Sequence, residues 1–403
     1  MAVTNKRKEE TCEKYKIYLK IIYYFSNKVI LAKQLYEYAV ALNIVQYKID
    51  FWKQISELKR YEILKSEPFV AFDKVTQNEV LILKKYAIRF IEEKEKSSDV
   101  AAVPKRNSNE RILLSIFKNK YILNKIIPIT RRRGELTYDN IVRCIKSKHS
   151  SILYNKNMGL EYLIDFEKVF VAKYISQTYI ENAKDDFLTS RRNQKKGLEA
   201  GRKSSEGKGS GGKILSGCAD PVRHFTNKEV KKEYISAEEA RAINKEIDSS
   251  LSPKFRMLET YNFDRMFSNN MHVVDIKNKD NKVLISMLIF DIANSRNIHK
   301  IALNISATYN MFKRYLKCEF NLRIGVITYD QDSQIAIEND AKVRTINYNS
   351  REKNELNKLE NYLKLNGLDD VDRENIEIVF SNYNLTNEYF DGIKYANILK
   401  NNK

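Results

Sequence analysis

Residues 31–89 read LAKQLYEYAVALNIVQYKIDFWKQISELKRYEILKSEPFVAFDKVTQNEVLILKKYAIR. Leu31, Leu35, Tyr38, Ala39 and Leu42 recur at helical spacing and form one face of a helix. Val45, Ile49, Trp52, Ile55 and Leu58 form a second such face. Asn43 lies between the two sets and tolerates a left-handed turn, so the helices are close in sequence and must cross steeply. The spacing predicts a helix-turn-helix. After Lys59 and Arg60 the period changes. Residues 68–72 and 80–83 read as the strands of a β-hairpin, with residues 73–78 as its polar turn.

Upstream, Tyr15, Tyr18, Leu19, Ile22 and Phe25 share one helical face, which supplies a preceding helix. Three helices followed by a hairpin is the winged-helix order. In that geometry the second helix of the pair enters the major groove. With its apolar set turned inward, Gln46, Tyr47, Lys48, Asp50, Lys53 and Gln54 are the positions able to reach bases or phosphates, and Lys74 in the hairpin joins them. The solvated face of an ordinary amphipathic helix has the same composition, and winged helices also serve as docking modules. The function therefore has to be weighed against the rest of the chain.

The chain has 403 residues and a formal charge of +19, which favours a polyanionic partner. Lys number by itself carries little weight, since an AT-rich coding sequence enriches Lys in any protein, and the distribution of charge says more than its total. The charge is unevenly distributed. Residues 100–149 hold twelve Lys and Arg against three acids, among them the run Arg131, Arg132 and Arg133, read as a loop between two helices. Three adjacent guanidiniums keep their charge and their donors, and phosphates satisfy both. Residues 152–188 are aromatic and helical in period. Residues 189–217 contain KSSEGKGSGGK, with eight Lys and Arg against two Glu, and read as a flexible tether. GKGSGGK is not a phosphate-cradling loop, because Lys213 is followed by Ile214 and no apolar strand leads into it.

Cys12, Cys144, Cys218 and Cys318 are dispersed, as are His149, His224, His272 and His299, so neither disulfides nor a structural metal is expected. No apolar run approaches the roughly 18 to 20 residues that cross a bilayer. A soluble, cytoplasmic protein without a membrane partner is the expectation.

From residue 223 a mixed α/β order is expected: helices at 237–248 and 254–267, strands at 272–276 and 283–292, and a helix at 298–316. A strand at 322–329, a helix at 352–365, a strand at 376–380 and a helix at 387–399 complete it. Asp275, Asp291 and Lys300 are the candidates for metal-assisted chemistry there, since two carboxylates on neighbouring strands can hold a divalent ion. Both acids are also ordinary strand-end residues. A restriction-endonuclease-like core needs a further acid two residues before the lysine, on the same strand, and Lys300 lies beyond the strand.

Residues 289–316, IFDIANSRNIHKIALNISATYNMFKRYL, together with this domain order, resemble the replication-relaxation proteins of plasmids and mobile elements of low-GC Gram-positive bacteria. In that family an acid-x-Asp pair ends the strand, and Lys and then Tyr follow in the helix. Asp291, Lys300 and Tyr309 match, whereas Ile289 stands in place of the first acid. The resemblance implies a DNA-binding protein acting in replication, maintenance or transfer.

The expected fold class is α+β, in four parts. Residues 1–97 form a winged-helix DNA-binding domain, 98–188 a basic helical segment, 189–222 a flexible linker, and 223–403 an α/β domain that can be a degenerate restriction-endonuclease-like core. The expected function is sequence-directed binding of double-stranded DNA, without a cofactor, in replication, maintenance, transfer or transcriptional control. A homodimer, or a protein partner on the C-terminal domain, is compatible with that. Two alternatives remain open: a magnesium-dependent nuclease or nickase using Asp275 and Asp291, and an assembly protein that binds no DNA.

Overall fold

The computed structural model describes residues 4–103, 109–154, 261–279, 282–295, 297–316, 318–346 and 355–393. Most of the helical reading at 152–188, the linker at 189–222, the helix at 237–248 and the first part of the helix at 254–267 lie outside the described residues. The helix read at 387–399 starts at Leu385 and ends at Tyr389, and residues 390–393 are not helical. The fold is α+β, with helices packed on two principal sheets.

The N-terminal part begins with α1 (Asn5–Lys14) and α2 (Lys16–Lys20), the latter continuing through a wider turn at Ile21–Phe25. Then come β1 (Val29–Leu31), α3 (Ala32–Ala41), α4 (Lys48–Arg60), β2 (Leu64–Ala71), β3 (Lys74–Leu83) and α5 (Lys85–Ile91). The three strands form one antiparallel sheet in the order β1-β3-β2. Asn43 takes a left-handed φ of 55° between α3 and α4, as its side chain tolerates. Several expectations are corrected. Leu31, placed on the helical face by its spacing, belongs to β1, and the helix begins at Ala32. The first hairpin strand, read at 68–72, runs from Leu64 to Ala71. The helix after this turn starts at Lys48, not at Val45. The hairpin turns at Phe72 and Asp73, so residues 74–78 belong to β3.

That tight turn has a physical cause. Both central residues have positive φ, 49° at Phe72 and 64° at Asp73, which matches the right-handed twist of a two-residue hairpin. A bulky Phe is strained in this region. Its ring is nevertheless buried, against Tyr329 and Phe390, with centroids 5.3 and 5.6 Å away.

The next helices belong to the same core. α6 (Asn109–Tyr121) runs through Ile122–Ile126 into α7 (Ile127–Arg133), and α8 (Tyr138–Ser147) follows. Gln34 Nε2 donates to the Ile116 carbonyl at 3.0 Å, and Ser115 Oγ to the Val29 carbonyl at 2.7 Å. Buried Asn119 bonds Ser26, Tyr38 and Ser115. These pairings satisfy polar groups that burial would otherwise penalise by about 1–3 kcal/mol each.

In the C-terminal part, α9 (Phe263–Ser268) precedes β4 (Met271–Lys279) and β5 (Lys282–Phe290). After them come α10 (Ile298–Leu316), β6 (Phe320–Thr328), α11 (Gln331–Lys342), β7 (Arg344–Ile346) and β8 (Glu355–Asn357). α12 (Lys358–Leu365), α13 (Asp370–Glu374), β9 (Ile376–Asn382) and α14 (Leu385–Tyr389) complete the described chain. The main sheet has the order β4-β5-β6-β9, with β4 antiparallel to β5 and the other three parallel. α11 and the small β7-β8 hairpin were not expected, and the helix expected from residue 352 begins at Lys358.

The two parts meet through a continuous apolar core. Phe117 of α6 touches Phe290 and Tyr329, and Phe69 of β2 touches Phe390. Around it, Asn78 Nδ2 donates to the Tyr389 carbonyl at 2.7 Å, the Gln77 N–H to Asp391 at 2.6 Å, and the Tyr389 hydroxyl to Glu37 at 2.8 Å. Lys120 pairs with Glu388, and Lys33 donates to the Glu388 carbonyl. Because Phe390 is fully buried in this junction, Phe390→Ala is expected to cost about 3–5 kcal/mol. Denaturant titration of the whole chain checks this. A loss below about 1 kcal/mol would mean that the junction contributes little.

Candidate nucleic-acid interface

α4 is held from behind by three contacts. Phe51, Ile55 and Leu58 recur at i, i+4 and i+7 and are fully buried. Tyr18 donates its hydroxyl to Gln54 Oε1 at 2.7 Å. Tyr15 and Lys14 both donate to Glu57, at 2.5 and 2.9 Å, and the Tyr15 bond is the chief cause of a carboxyl held below its usual range.

This anchoring corrects the inward face. Ile49, assigned to the core from its spacing, is 65% exposed, and Phe51 takes the core position. A single helical phase from residue 45 through 58 does not hold, because the chain between Val45 and Lys48 is not helical and the phase begins anew at Lys48. Trp52 is half-buried, its ring 5.4 Å from that of Phe51.

The outward face consists of Ile49, Lys53, Ser56 and Arg60, all exposed and spaced i, i+4, i+7 and i+11. At the N-terminal end Gln46, Tyr47 and Lys48 are exposed as well, Tyr47 by 66%. Asp50 pairs with Lys53 at 3.2 Å and, in the first turn, suits the positive end of the helix dipole. Of the six residues proposed on this helix and its lead-in, five therefore border the open surface. Gln54 is committed to Tyr18. Ile49, Ser56 and Arg60 were missed, and burial of Phe51 is the signal that would have found them.

Lys74 is exposed at the first position of β3, directly after the turn whose Phe72 is covered. The neighbouring segment is occupied by Tyr389 and Asp391, so this end of the hairpin serves the junction. Arg131, Arg132 and Arg133 are exposed, but they form the last turn of α7 and not a loop. Cations are favoured at a helix C-terminus, where the carbonyls concentrate negative potential. Gly134, with φ of 148°, ends the helix there. Arg133 reaches Ser147 of α8 at 3.5 Å.

The structure separates the acidic candidates. Asp275 stands opposite Ser286, five residues before Asp291, which is about 16 Å along the strand. Ligands of one divalent ion lie within about 2.6 Å of it, so these two carboxylates do not share an ion. Asp275 pairs with Lys148 and Lys277, both at 3.2 Å. Asp291 accepts the Ser295 N–H at 3.1 Å. Lys300 is exposed in the first turn of α10, its N–H bonded to Asn297. Among the described residues no three His, Cys, Asp or Glu side chains group as metal ligands, and no helix is long and apolar enough to cross a membrane. No family model, curated protein or solved structure matches the chain.

One further group of titratable residues lies inside. Lys118 is buried and donates to the Tyr154 carbonyl at 2.5 Å. Burial lowers its pKa from 10.5 to about 7. His272, also buried, is pushed well below its ordinary value by burial first and by Lys118 second. From pH 7 to 10.5 the unfolded chain keeps the lysine proton that the fold gives up, so this group's contribution raises stability as pH rises, by up to about 1.4 kcal/mol per pH unit. Below pH 7 the lysine penalty is full. Below about 6.5 the unfolded chain also binds a histidine proton that the fold refuses, and stability falls further. Denaturation at pH 7 and pH 9 should show a smaller gain for Lys118→Met than for the parent chain. Equal gains would contradict an effect of lysine burial.

Proposed function

We propose that the protein binds double-stranded DNA, with residues 5–91 acting as a winged helix and α4 as the helix that enters the major groove. The observation that carries this reading is the open stripe of α4. It is a helix anchored on one side by Phe51, Ile55, Leu58, Tyr18 and Tyr15, with Tyr47, Lys48, Lys53 and Arg60 left uncovered on the other. Anchoring matters because a base-reading side chain must be presented from a backbone that does not shift. The short connection between α3 and α4, with Asn43 left-handed in it, and the three-stranded β1-β3-β2 sheet support the same reading.

The hairpin end departs from the usual use of a wing. Phe72 of its turn is buried against the C-terminal part, while Asp73 and Lys74 stay exposed, and in this reading α4 and its lead-in carry the base contacts. Arg131, Arg132 and Arg133 supply phosphate contacts, which hold without reading sequence. The resemblance of residues 289–316 to replication-relaxation proteins supplies the proposed setting, a plasmid or mobile element. The wide separation of Asp275 and Asp291 offers no support to a two-carboxylate nuclease.

Mobility-shift titrations at two salt concentrations test the proposal. Lys48→Ala and Lys53→Ala should each weaken binding. Replacing Arg131, Arg132 and Arg133 together should weaken it equally on all sequences and flatten the logarithmic salt slope by about 0.9 for each phosphate that is no longer neutralised. Undiminished binding in all three variants would end the proposal.

A further inference from the structure

Two large apolar side chains bracket Lys48 at the start of α4, and neither is used by the fold. Tyr47 is 66% exposed and Ile49 is 65% exposed, while the neighbouring apolar residues Val45 and Phe51 are buried. They lie on a cationic surface: Lys48, Lys53 and Arg60 are exposed around them, and the two acids of α4 are paired, Asp50 with Lys53 and Glu57 with Lys14. An apolar pair set among cations complements a partner that is anionic at its edges and apolar at discrete points.

The DNA major groove has that character. Its phosphates flank a floor on which the thymine C5-methyl is the apolar protrusion, absent from cytosine and from the purines. The first turn of a recognition helix and the residues just before it are the parts that approach base edges. Resting on the DNA-binding reading above, we infer that Tyr47 and Ile49 are specificity-determining residues that pack on thymine methyl groups, so that the bound site carries thymines opposite the start of α4.

Burial of one methyl is worth about 0.8 kcal/mol, which corresponds to roughly fourfold in affinity. The test begins by selecting duplexes from a random pool with the full chain. Each selected duplex is then remade with single thymines replaced by uracil, which removes the methyl and keeps base pairing and backbone. At contacted positions the parent protein should lose roughly fourfold per methyl. Ile49→Ala should bind the thymine duplex more weakly and become indifferent to the replacement at one or more of those positions. Because Ile49 is exposed, the variant retains its core, and an unchanged denaturation curve verifies this.

Equal binding of thymine and uracil duplexes by the parent protein would overturn the inference while leaving DNA binding intact. Failure to select any duplex, with no shift at low salt, would overturn the DNA-binding reading itself. A concentration-dependent dimer that disappears in Ile49→Ala, seen by light scattering without DNA, would assign the patch to a second copy of the chain and overturn the inference by that route.

Discussion

The burial of Phe72 between Tyr329 and Phe390 is the constraint on which the arrangement depends. A phenylalanine at positive φ is strained by about 1–3 kcal/mol, and persists where its surroundings hold it. Here the turn that imposes the strain also delivers the ring into the junction. The hairpin is thereby fixed to the C-terminal part, and Tyr389, Asp391 and Glu388 fasten its flank and the adjoining α3. The far side of α4 stays uncovered, with the large side chains of Tyr47 and Ile49 exposed at its start.

Much of this was legible in the sequence where one physical signal dominated. The helical faces of α3 and α10 follow from apolar spacing, the turn between α3 and α4 from Asn43, and the strands β5 and β6 from short apolar runs. The errors also have physical causes. Residues 73–78 look like a turn because they are polar, but β3 is solvated on one side there. Phe72 is an improbable turn residue until its partners, more than 250 positions away, are known. α11 was missed because QDSQIAIENDAK buries little besides Ile337 and Ala341. Its start is marked by Asp330, which caps the Ser333 N–H.

The candidate interface was legible in composition more than in orientation. Lys48, Lys53 and Tyr47 emerged from the helix-turn-helix pattern. Which of Ile49 and Phe51 faces inward depended on where the helix begins, and spacing alone does not give that. Gln54 shows the opposite limit, since a polar side chain in a favourable position is used by Tyr18. The three arginines were found by charge. Their place on the last turn of α7 shows how the chain accommodates them: the helix terminus offsets part of their repulsion, Arg132 donates to the Pro128 carbonyl and Arg133 to Ser147, and solvent screens the rest.

These elements combine into an account in which α4 meets DNA and the hairpin end does not. Amide hydrogen exchange of the full chain, with and without a bound duplex, tests that division directly. The account predicts added protection within residues 46–60 and unchanged exchange at residues 72–79. Added protection at residues 72–79 with α4 unchanged, or no change anywhere on a duplex that binds, would contradict it.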